Sequence, residues 1–313
     1  MKAGSFPLRE TADGADIMLT LFSTKALLKI TLVSFLPLAA AGAPFAFHRA
    51  PGQAVTAIET VTLAPAEFSY RVAGDFSRDR MPVNAPLVRS RLPDSLVIMK
   101  AEVSEADFGR CVQDGACRVI AQAGSLRSDV PVTGVSWEDA IAYAQWLSGK
   151  TGEVWRLPTD EEWVFAAGSR AKDDAIETDT TDFSQRWLAK YEQEAARERN
   201  GDRRPRTTGS FGINEHGLLD VAGNVWEWTD TCFIRHDLDS QNRPVGEATT
   251  NCGVRVVQGA HRSYVSSFIR DARGGGCSTG TPPDNLGFRL VRDDRSWLKR
   301  MVGRAFEQLK PAA

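Results

Sequence analysis

The chain has 313 residues, of which 42% are hydrophobic and 25% are charged, and its formal net charge is −2. This composition is typical of a globular protein that is long enough to bury one large core or two smaller ones. Because there is no basic surplus, the composition gives no support for nucleic-acid binding.

The N-terminus has the pattern of a secretory leader. Lys25 and Lys29 precede an apolar run, Ile30 to Ala41, which ends in small residues. A basic region, an apolar region and small residues in this order are typical of a signal peptide. We therefore expect residues 1–46 to be a signal peptide, alone or with a preceding extension, and the protein to be periplasmic. An uncleaved membrane anchor is the alternative, although the apolar run is short for a span.

The first part of the expected domain, which covers residues 55–294, has strand composition. Thr60 to Leu63 and Glu67 to Val72 predict a strand pair, and Ser95 to Lys100 predicts a buried strand. Asp75 to Val88 is rich in Arg and Asp and predicts irregular chain.

Capping residues mark the helix starts. Ser104, Ser136 and Thr159 each precede a helical pattern and are each followed three residues later by an acidic residue, which is the signature of an N-terminal capping box. A further amphipathic helix is predicted from Phe183 to Arg199, with Trp187, Leu188 and Tyr191 facing the core.

The C-terminal part alternates polar segments with short strands. Thr231 to Thr250 predicts a polar loop, and Val254 to Gln258 and the segment ending at Val291 predict strands. Residues 295–313 form a tail in which Trp297 to Leu309 predicts a short amphipathic helix.

Five cysteines suit an oxidising compartment. Cys111 and Cys117 bracket a polar turn and predict a local disulfide, and Cys232 and Cys252 flank a polar segment and are candidates for a second one. Cys277 would then be the odd thiol. Buried free thiols are the alternative.

The segment Gly217 to Asp230 concentrates glycine, tryptophan and carboxylates. From Val225 the residues alternate, so a half-buried strand would place both indoles in the core and aim Glu227 the opposite way. Gly223 predicts a tight turn before that strand. Asp220, Glu227 and turn carbonyls are suitable oxygen ligands for Ca²⁺; the alternative is a turn and strand with solvated carboxylates.

Four segments together resemble the formylglycine-generating enzyme, or sulfatase-modifying factor, family. They occur in the family's order, and they are Pro131–Ala140, Trp155–Trp163, Gly217–Trp228 and Asn285–Leu290. The resemblance implies a single α+β domain, related in topology to C-type lectins, with much irregular chain.

The resemblance also implies one Ca²⁺ site beside the glycine–tryptophan motif. Carried over by position, its ligands would be the Asp220 side chain, the carbonyl oxygens of Gly223 and Val225, and Glu227. The region of a second family site is replaced here by the charged helix from Phe183 to Arg199, so we expect one site.

The catalytic cysteines are where the chain departs from the family. Authentic members bind copper through two cysteines that flank a His-Arg-Ser-Tyr-like stretch, since thiolates suit Cu(I). Here Ala260 and Val265 flank His261 to Tyr264, and neither residue supplies a thiolate. Cysteine-to-formylglycine oxidation is therefore not expected, and copper binding lacks the thiolate pair.

The segment from Gly259 to Cys277 most resembles exported accessory proteins associated with copper nitrite reductase in denitrifying bacteria. This resemblance implies a protein client, with copper nitrite reductase as the candidate, and a role in maturing or supporting a periplasmic metalloenzyme.

Two other functions remain open at this point. An enzyme with a remodelled site would use candidates from the same segment, with His236 and Cys277 helping His261 to hold copper; the alternative for these side chains is structural hydrogen bonds and ion pairs. A lectin-like module for a small ligand is the other function. The candidates are His261, Arg262, Tyr264, Arg270, Asp271, Arg273 and Cys277.

Overall fold

The computed structural model describes residues 57–120, 127–176, 182–198, 204–270 and 285–294, with side chains of the fourth helix described to Gln193. The expected leader, residues Asp271, Arg273 and Cys277, and the C-terminal tail lie outside these residues. No helix in the described part of the chain is both long and apolar enough to cross a membrane.

The described chain is a mixture of helices and short strands, which confirms the expected α+β class. The helices are α1 (Glu105–Gln113), α2 (Trp137–Thr151), α3 (Asp160–Ala167) and α4 (Phe183–Glu198), with a 3-10 turn at Gly168–Arg170. The strands are β1 (Thr60–Leu63), β2 (Glu67–Arg71), β3 (Asp75–Arg78), β4 (Met81–Val83), β5 (Leu87–Arg91), β6 (Leu96–Met99), β7 (Trp155–Arg156), β8 (Trp226–Leu238), β9 (Pro244–Gln258), β10 (Arg262–Ser266), β11 (Leu286–Gly287) and β12 (Val291–Arg292).

The strands form three sheets. One has the order β1-β6-β12-β7, the second has the order β10-β9-β8-β3-β4 with β11 beside β8, and β2 pairs with β5. All four residues of β6 are buried, because this strand has a partner on each side and the core on its faces. The main core joins α1 and α2 to the start of β8 and to the segment that contains β11.

The three predicted helix starts are confirmed. Ser104, Ser136 and Thr159 are the N-caps of α1, α2 and α3, and the hydroxyl of each accepts the backbone N–H three residues later. Each cap satisfies a backbone donor that would otherwise lack a partner, which stabilises a helix by about 1 kcal/mol. Local sequence therefore determines where these helices begin.

Strand pairing in the first part of the domain differs from the prediction. β1 and β2 are both strands, but β1 pairs with β6 and β2 pairs with β5. Asp75 to Val88, predicted to be irregular, contains β3, β4 and the start of β5. Asp79 and Arg80 turn the β3–β4 hairpin with φ of 51° and 65°. Arginine is not a residue that signals a left-handed turn, so the hairpin left no sequence signature.

The predicted polar loop after Thr231 is instead a long hairpin formed by β8 and β9. Most of β9 up to Gly253 is exposed, so its strands lack the apolar alternation by which half-buried strands are recognised. The predicted disulfide between Cys232 and Cys252 joins the two strands, and the predicted Cys111–Cys117 disulfide is also present.

The predicted orientation of α4 is wrong. Trp187, Leu188 and Tyr191 are each at least half exposed, and so is Phe183 at the start of the helix. The pattern correctly gave an amphipathic helix, but the apolar face is not packed into the core.

Gly287 belongs to the segment Asn285–Leu290, and its packing shows why this position is a glycine. A Cβ atom at this position would lie 2.6 Å from the carbonyl oxygen of Val132, which is backbone and cannot move aside cheaply.

We expect Gly287→Ala to lower the melting temperature by several degrees, because the backbone at position 287 or at Val132 must shift within the core. Gly149→Ala in α2 is the matched control, since a Cβ there meets nothing within 4 Å and alanine favours helix. Equal melting temperatures for both variants would contradict this account.

Candidate functional site

The Gly217–Asp230 motif consists of a contorted turn and the start of β8. Asp220, Ala222 and Asn224 alternate in the left-handed conformation, with φ of 54°, 62° and 54°. This conformation costs Ala222 roughly 1–2 kcal/mol, whereas Asp and Asn adopt it more readily. Gly223, which the sequence marked as the turning residue, is not among the left-handed positions. The turn is therefore strained at side-chain-bearing residues and must be held by its surroundings.

The carboxylate of Asp220 holds the turn against the preceding loop. It is fully buried and accepts the backbone N–H groups of Gly209 and Phe211, the latter at 2.7 Å. The ring of Phe211 packs on Gly223, where an added Cβ would lie only 2.9 Å from it. The alternative of solvated motif carboxylates is thus wrong for Asp220.

Glu227 is also buried, although strand alternation aimed it away from the core. Its carboxylate accepts two hydrogen bonds from the guanidinium of Arg289, at 2.6 and 2.8 Å, and one from the indole N–H of Trp163 at 2.9 Å. The alternation fails because Thr229 and Trp228 are buried as well, so both faces of β8 are covered here. Burial of a carboxylate is costly unless it is paired and hydrogen-bonded in this way.

Arg289 connects parts of the chain that are far apart in sequence. Besides the pair with Glu227, its guanidinium donates to the carbonyl oxygens of Lys100 at 3.2 Å and Leu219 at 3.1 Å. The side chain is fully buried. The segment Asn285–Leu290 was recognised as a motif, but Arg289 was not named as a site residue because nothing local identifies its partner.

Glu102 is a third buried ionisable group in this cluster, and the sequence alone did not indicate it. Its carboxylate lies 3.6 Å from Arg289, and neither oxygen accepts a hydrogen bond from the described residues. Burial raises the pKa of Glu102 to about 8; Arg289 opposes the rise and the negative charge of Glu227 adds to it. Glu102 therefore holds a proton near neutral pH, which reduces the excess of negative charge around Arg289.

The calcium ligands predicted from the resemblance lie within one turn and the first residues of β8. Each oxygen of Asp220 accepts one N–H, so this carboxylate retains acceptor capacity. Glu227 would have to be shared with Arg289 and Trp163. Among the described residues there is no cluster of three or more His, Cys, Asp or Glu side chains arranged to hold a metal. The calcium site stays a prediction that rests on Asp220 and backbone oxygens.

Arg262, from the second candidate segment, lies in an interior ion-pair cluster. Its guanidinium is 2.8 Å from Asp160 and 3.5 Å from Asp174, and only 1% of the side chain is exposed. Burial alone would lower the pKa of Arg262, but the two carboxylates raise it. Tyr70 donates to Asp160 at 2.7 Å and its ring lies under the guanidinium. These contacts join β10 to α3 and β2.

Tyr264 is engaged in a similar way. Its hydroxyl donates to Asp174 at 2.9 Å and accepts the N–H of Gly74 at 2.8 Å. Burial, together with the negative charge of Asp174, raises the pKa of Tyr264, so the phenol stays protonated at neutral pH. Arg270 makes a two-pronged pair with Asp139, at 2.6 and 2.8 Å, at the start of α2.

The two candidate histidines are not brought together. Nδ1 of His261 lies 2.7 Å from the carbonyl oxygen of Arg262, and the ring makes an edge-to-face contact with Trp226, centroids 4.7 Å apart. His236 lies on the exposed hairpin, ten residues after Trp226, which is roughly 30 Å at the rise of an extended strand. A copper site shared by the two histidines does not fit this arrangement.

Ala260 and Val265 stand where the family resemblance places the two cysteines, and their environments differ. Val265 is 3% exposed and belongs to the main core, whereas Ala260 is exposed in the turn before β10. Both side chains are hydrocarbons, so a pair of thiolates is absent from the stretch that flanks His261 to Tyr264.

Comparison with known proteins identifies the domain. The profile of the sulfatase-modifying factor enzyme 1-like domain family matches residues 46–294, which is most of the chain. The chain belongs to this family. The family resemblance predicted from four motifs is thereby confirmed.

Some similar proteins are named as formylglycine-generating enzymes, and others are named as inactive ones. The formylglycine-generating enzyme of Mus musculus is 32% identical over 181 residues, which cover 53% of this chain and 45% of that protein. The formylglycine-generating enzyme of Streptomyces coelicolor is 35% identical, with 53% and 54% covered. The inactive C-alpha-formylglycine-generating enzyme 2 of Bos taurus is 32% identical over 189 residues, with 52% and 50% covered. The chain thus spans about half the length of these relatives.

Among solved structures, PvdO from Pseudomonas aeruginosa matches 75% of this chain and 94% of its own chain, with 18% sequence identity and a TM-score of 0.47.

The buried carboxyl of Glu102 predicts a pH dependence of stability. Its pKa is raised from an ordinary value of 4.5 to about 8, so the folded state binds a proton that the unfolded state has released in this range. This contribution to stability is complete below pH 4.5 and is lost as the pH rises towards 8. We expect Glu102→Gln, which is neutral at every pH, to melt several degrees above the wild type at pH 8 and to approach it as the pH falls to 4.5.

The control for this prediction is Glu67→Gln on the exposed side of β2. That variant should melt in parallel with the wild type from pH 5 to 8. If Glu102→Gln keeps the wild-type pH slope, Glu102 does not carry the buried proton.

Proposed function

We propose that this protein is an exported accessory factor built on the sulfatase-modifying factor scaffold, without the cysteine-to-formylglycine oxidase activity. The observation that carries the proposal is the replacement of the flanking cysteines by Ala260 and Val265. Val265 is packed in the core, so its position is occupied by a structural side chain. The scaffold is kept while the thiolate pair is lost.

The neighbouring side chains support a structural role for the former active-site segment. Arg262 and Tyr264 are held by Asp160 and Asp174, and the shifted pKa values keep the arginine charged and the phenol neutral. Neither group is poised as a base near neutral pH. One similar protein, from Bos taurus, is named an inactive C-alpha-formylglycine-generating enzyme, so its name already describes a protein that lacks this activity.

The proposed client is a periplasmic metalloenzyme, with copper nitrite reductase as the candidate. The support is the leader-like N-terminus, the resemblance of the Gly259 to Cys277 segment to exported accessory proteins, and two disulfides, which suit an oxidising compartment. In this role the protein binds a protein client and contributes no redox chemistry of its own.

Deleting the gene tests the accessory role. In the deletion strain we expect the copper content and the specific activity of periplasmic nitrite reductase to fall, and plasmid-borne wild-type protein to restore both. Unchanged copper content and activity would remove this client. Purified protein is assayed in parallel with copper and a cysteine-containing sulfatase peptide; formylglycine in that peptide would contradict the loss of oxidase activity.

We also propose that the turn at Asp220 binds one Ca²⁺ through its carboxylate and the carbonyl oxygens of Gly223 and Val225, with Glu227 shared with Arg289. The ion would neutralise buried carboxylates and stabilise the strained turn. Chelator-treated protein is expected to melt at a higher temperature after millimolar Ca²⁺ is added, but not after an equal concentration of Mg²⁺. Elemental analysis that finds no calcium, together with a melting temperature that Ca²⁺ leaves unchanged, would exclude the site.

A further inference from the structure

A cavity of about 450 Å³ separates α4 from the β3–β4 hairpin. Phe183 and Trp187 of α4 line one side of it, and Phe76 and Val83 of the hairpin line the other. We call this cavity the α4 groove. It is open to solvent along α4, where Trp187 and Tyr191 stack with ring centroids 5.7 Å apart and both rings are more than half exposed.

The charges around the α4 groove are mostly positive. Four cationic side chains line it, against two carboxylates, Asp75 and Asp174. Asp174 is already engaged by Arg262 and Tyr264, and Asp75 lies 4.0 Å from Arg235, so both carboxylates already face cations of the protein. The cations are Arg80, Arg186, Lys190 and Arg235.

Two of these cations lie outside the ion pairs formed by the described residues, although the charge of Lys190 acts on the carboxylate of Asp75. Arg80 and Lys190 form no ion pair with any side chain in the part of the chain that the structure describes, and Arg235 lies 4.0 Å from Asp75. A carboxylate ligand would complete these groups, because charge-assisted hydrogen bonds to guanidinium are among the stronger polar contacts.

The attachment of α4 leaves its aromatic face uncovered. Arg186 donates to the side-chain oxygen of Asn84 at 2.9 Å, and Gln193 donates to the carbonyl oxygen of Ala175 at 3.1 Å. Helices of this length gain most of their stability from packing an apolar face. Here polar contacts position the helix, and the stripe formed by Phe183, Trp187 and Tyr191 is available for a partner.

We propose that the α4 groove binds an extended acidic segment of a protein partner, with an apolar side chain of that segment seated against Trp187. Carboxylates of the segment pair with Arg80 and Lys190 at the rim. The inference deepens the proposed function, on which it rests, by assigning the client-binding surface and the chemistry of the client segment. The chain's net charge of −2 argues against a nucleic acid as the occupant.

The floor of the α4 groove leads to the former active-site segment. Gly74 and Asp174 line the groove, and the same two residues hold the hydroxyl of Tyr264. Gly74 has φ of 130°, and a Cβ there would lie 2.5 Å from the carbonyl oxygen of Ile234. Position 74 therefore requires a glycine, because the backbone there lies against Ile234 of β8.

Binding is tested on the full mature chain with a fluorescein-labelled ten-residue peptide that alternates glutamate with phenylalanine and leucine. A second peptide has lysine in place of every glutamate. We expect the acidic peptide to bind, its affinity to fall as NaCl is raised, and the lysine peptide to bind at least tenfold more weakly. Equal affinity for the two peptides, or none for the acidic one, overturns the proposal.

Matched variants locate the binding surface. Lys190→Glu and Trp187→Ala are each expected to weaken the acidic peptide about tenfold, because reversal of a rim charge and loss of a central aromatic both act on the contact. Arg89→Glu on the exposed β5 and Leu188→Ala, at a half-exposed α4 residue that does not line the groove, are the respective controls and should bind as the wild type does. Equal loss in a variant and its control contradicts the assignment.

The same variants distinguish this inference from the proposed function. If deletion of the gene leaves the nitrite reductase unaffected, the accessory role for that client fails whatever the peptide does. If deletion has the expected effect but Lys190→Glu and Trp187→Ala restore the enzyme as well as the wild type, the accessory role stands and the α4 groove is not its client surface. Failure of both variants to restore it, while both controls do, supports the groove.

Discussion

The ion pair between Arg289 and Glu227 is the interaction on which the rest of the domain depends. It is fully buried, and Arg289 also donates to the chain after β6 and to the turn before β8. Losing one partner of a buried pair typically costs about 3–5 kcal/mol, because the other charge is left without compensation. That is a large part of the net stability of a single domain. Three distant segments therefore depend on one guanidinium.

A second buried arginine, Arg262, has a corresponding role at β10 of the large sheet. It joins β10 to Asp160 at the start of α3, and Asp160 also accepts from Tyr70. Both arginines belong to segments that resemble the family motifs, yet neither needs a catalytic reaction to explain it. Retention of these motifs is thus compatible with loss of the cysteine pair, since the motifs maintain the scaffold.

The features that the sequence predicted well depend on neighbouring residues. The caps at Ser136 and Thr159 and the Cys111–Cys117 disulfide each depend on groups only a few residues apart. The features that the sequence predicted wrongly depend on contacts with residues that are far away along the chain. The β8–β9 hairpin is polar because most of its length faces solvent, and β1 and β2 each found a partner elsewhere although they are adjacent in sequence.

The candidate site follows the same division. The motif around Asp220 was recognised from sequence, but the burial of Glu227 was not, because its partner Arg289 lies 62 residues away. For α4 the periodicity gave the amphipathic face correctly and the direction of that face wrongly. Hydrophobic periodicity shows that a face must be covered, and it cannot distinguish a core from a partner. The exposed stripe beside Trp187 is such a face, and it is the surface that the proposed partner segment would cover.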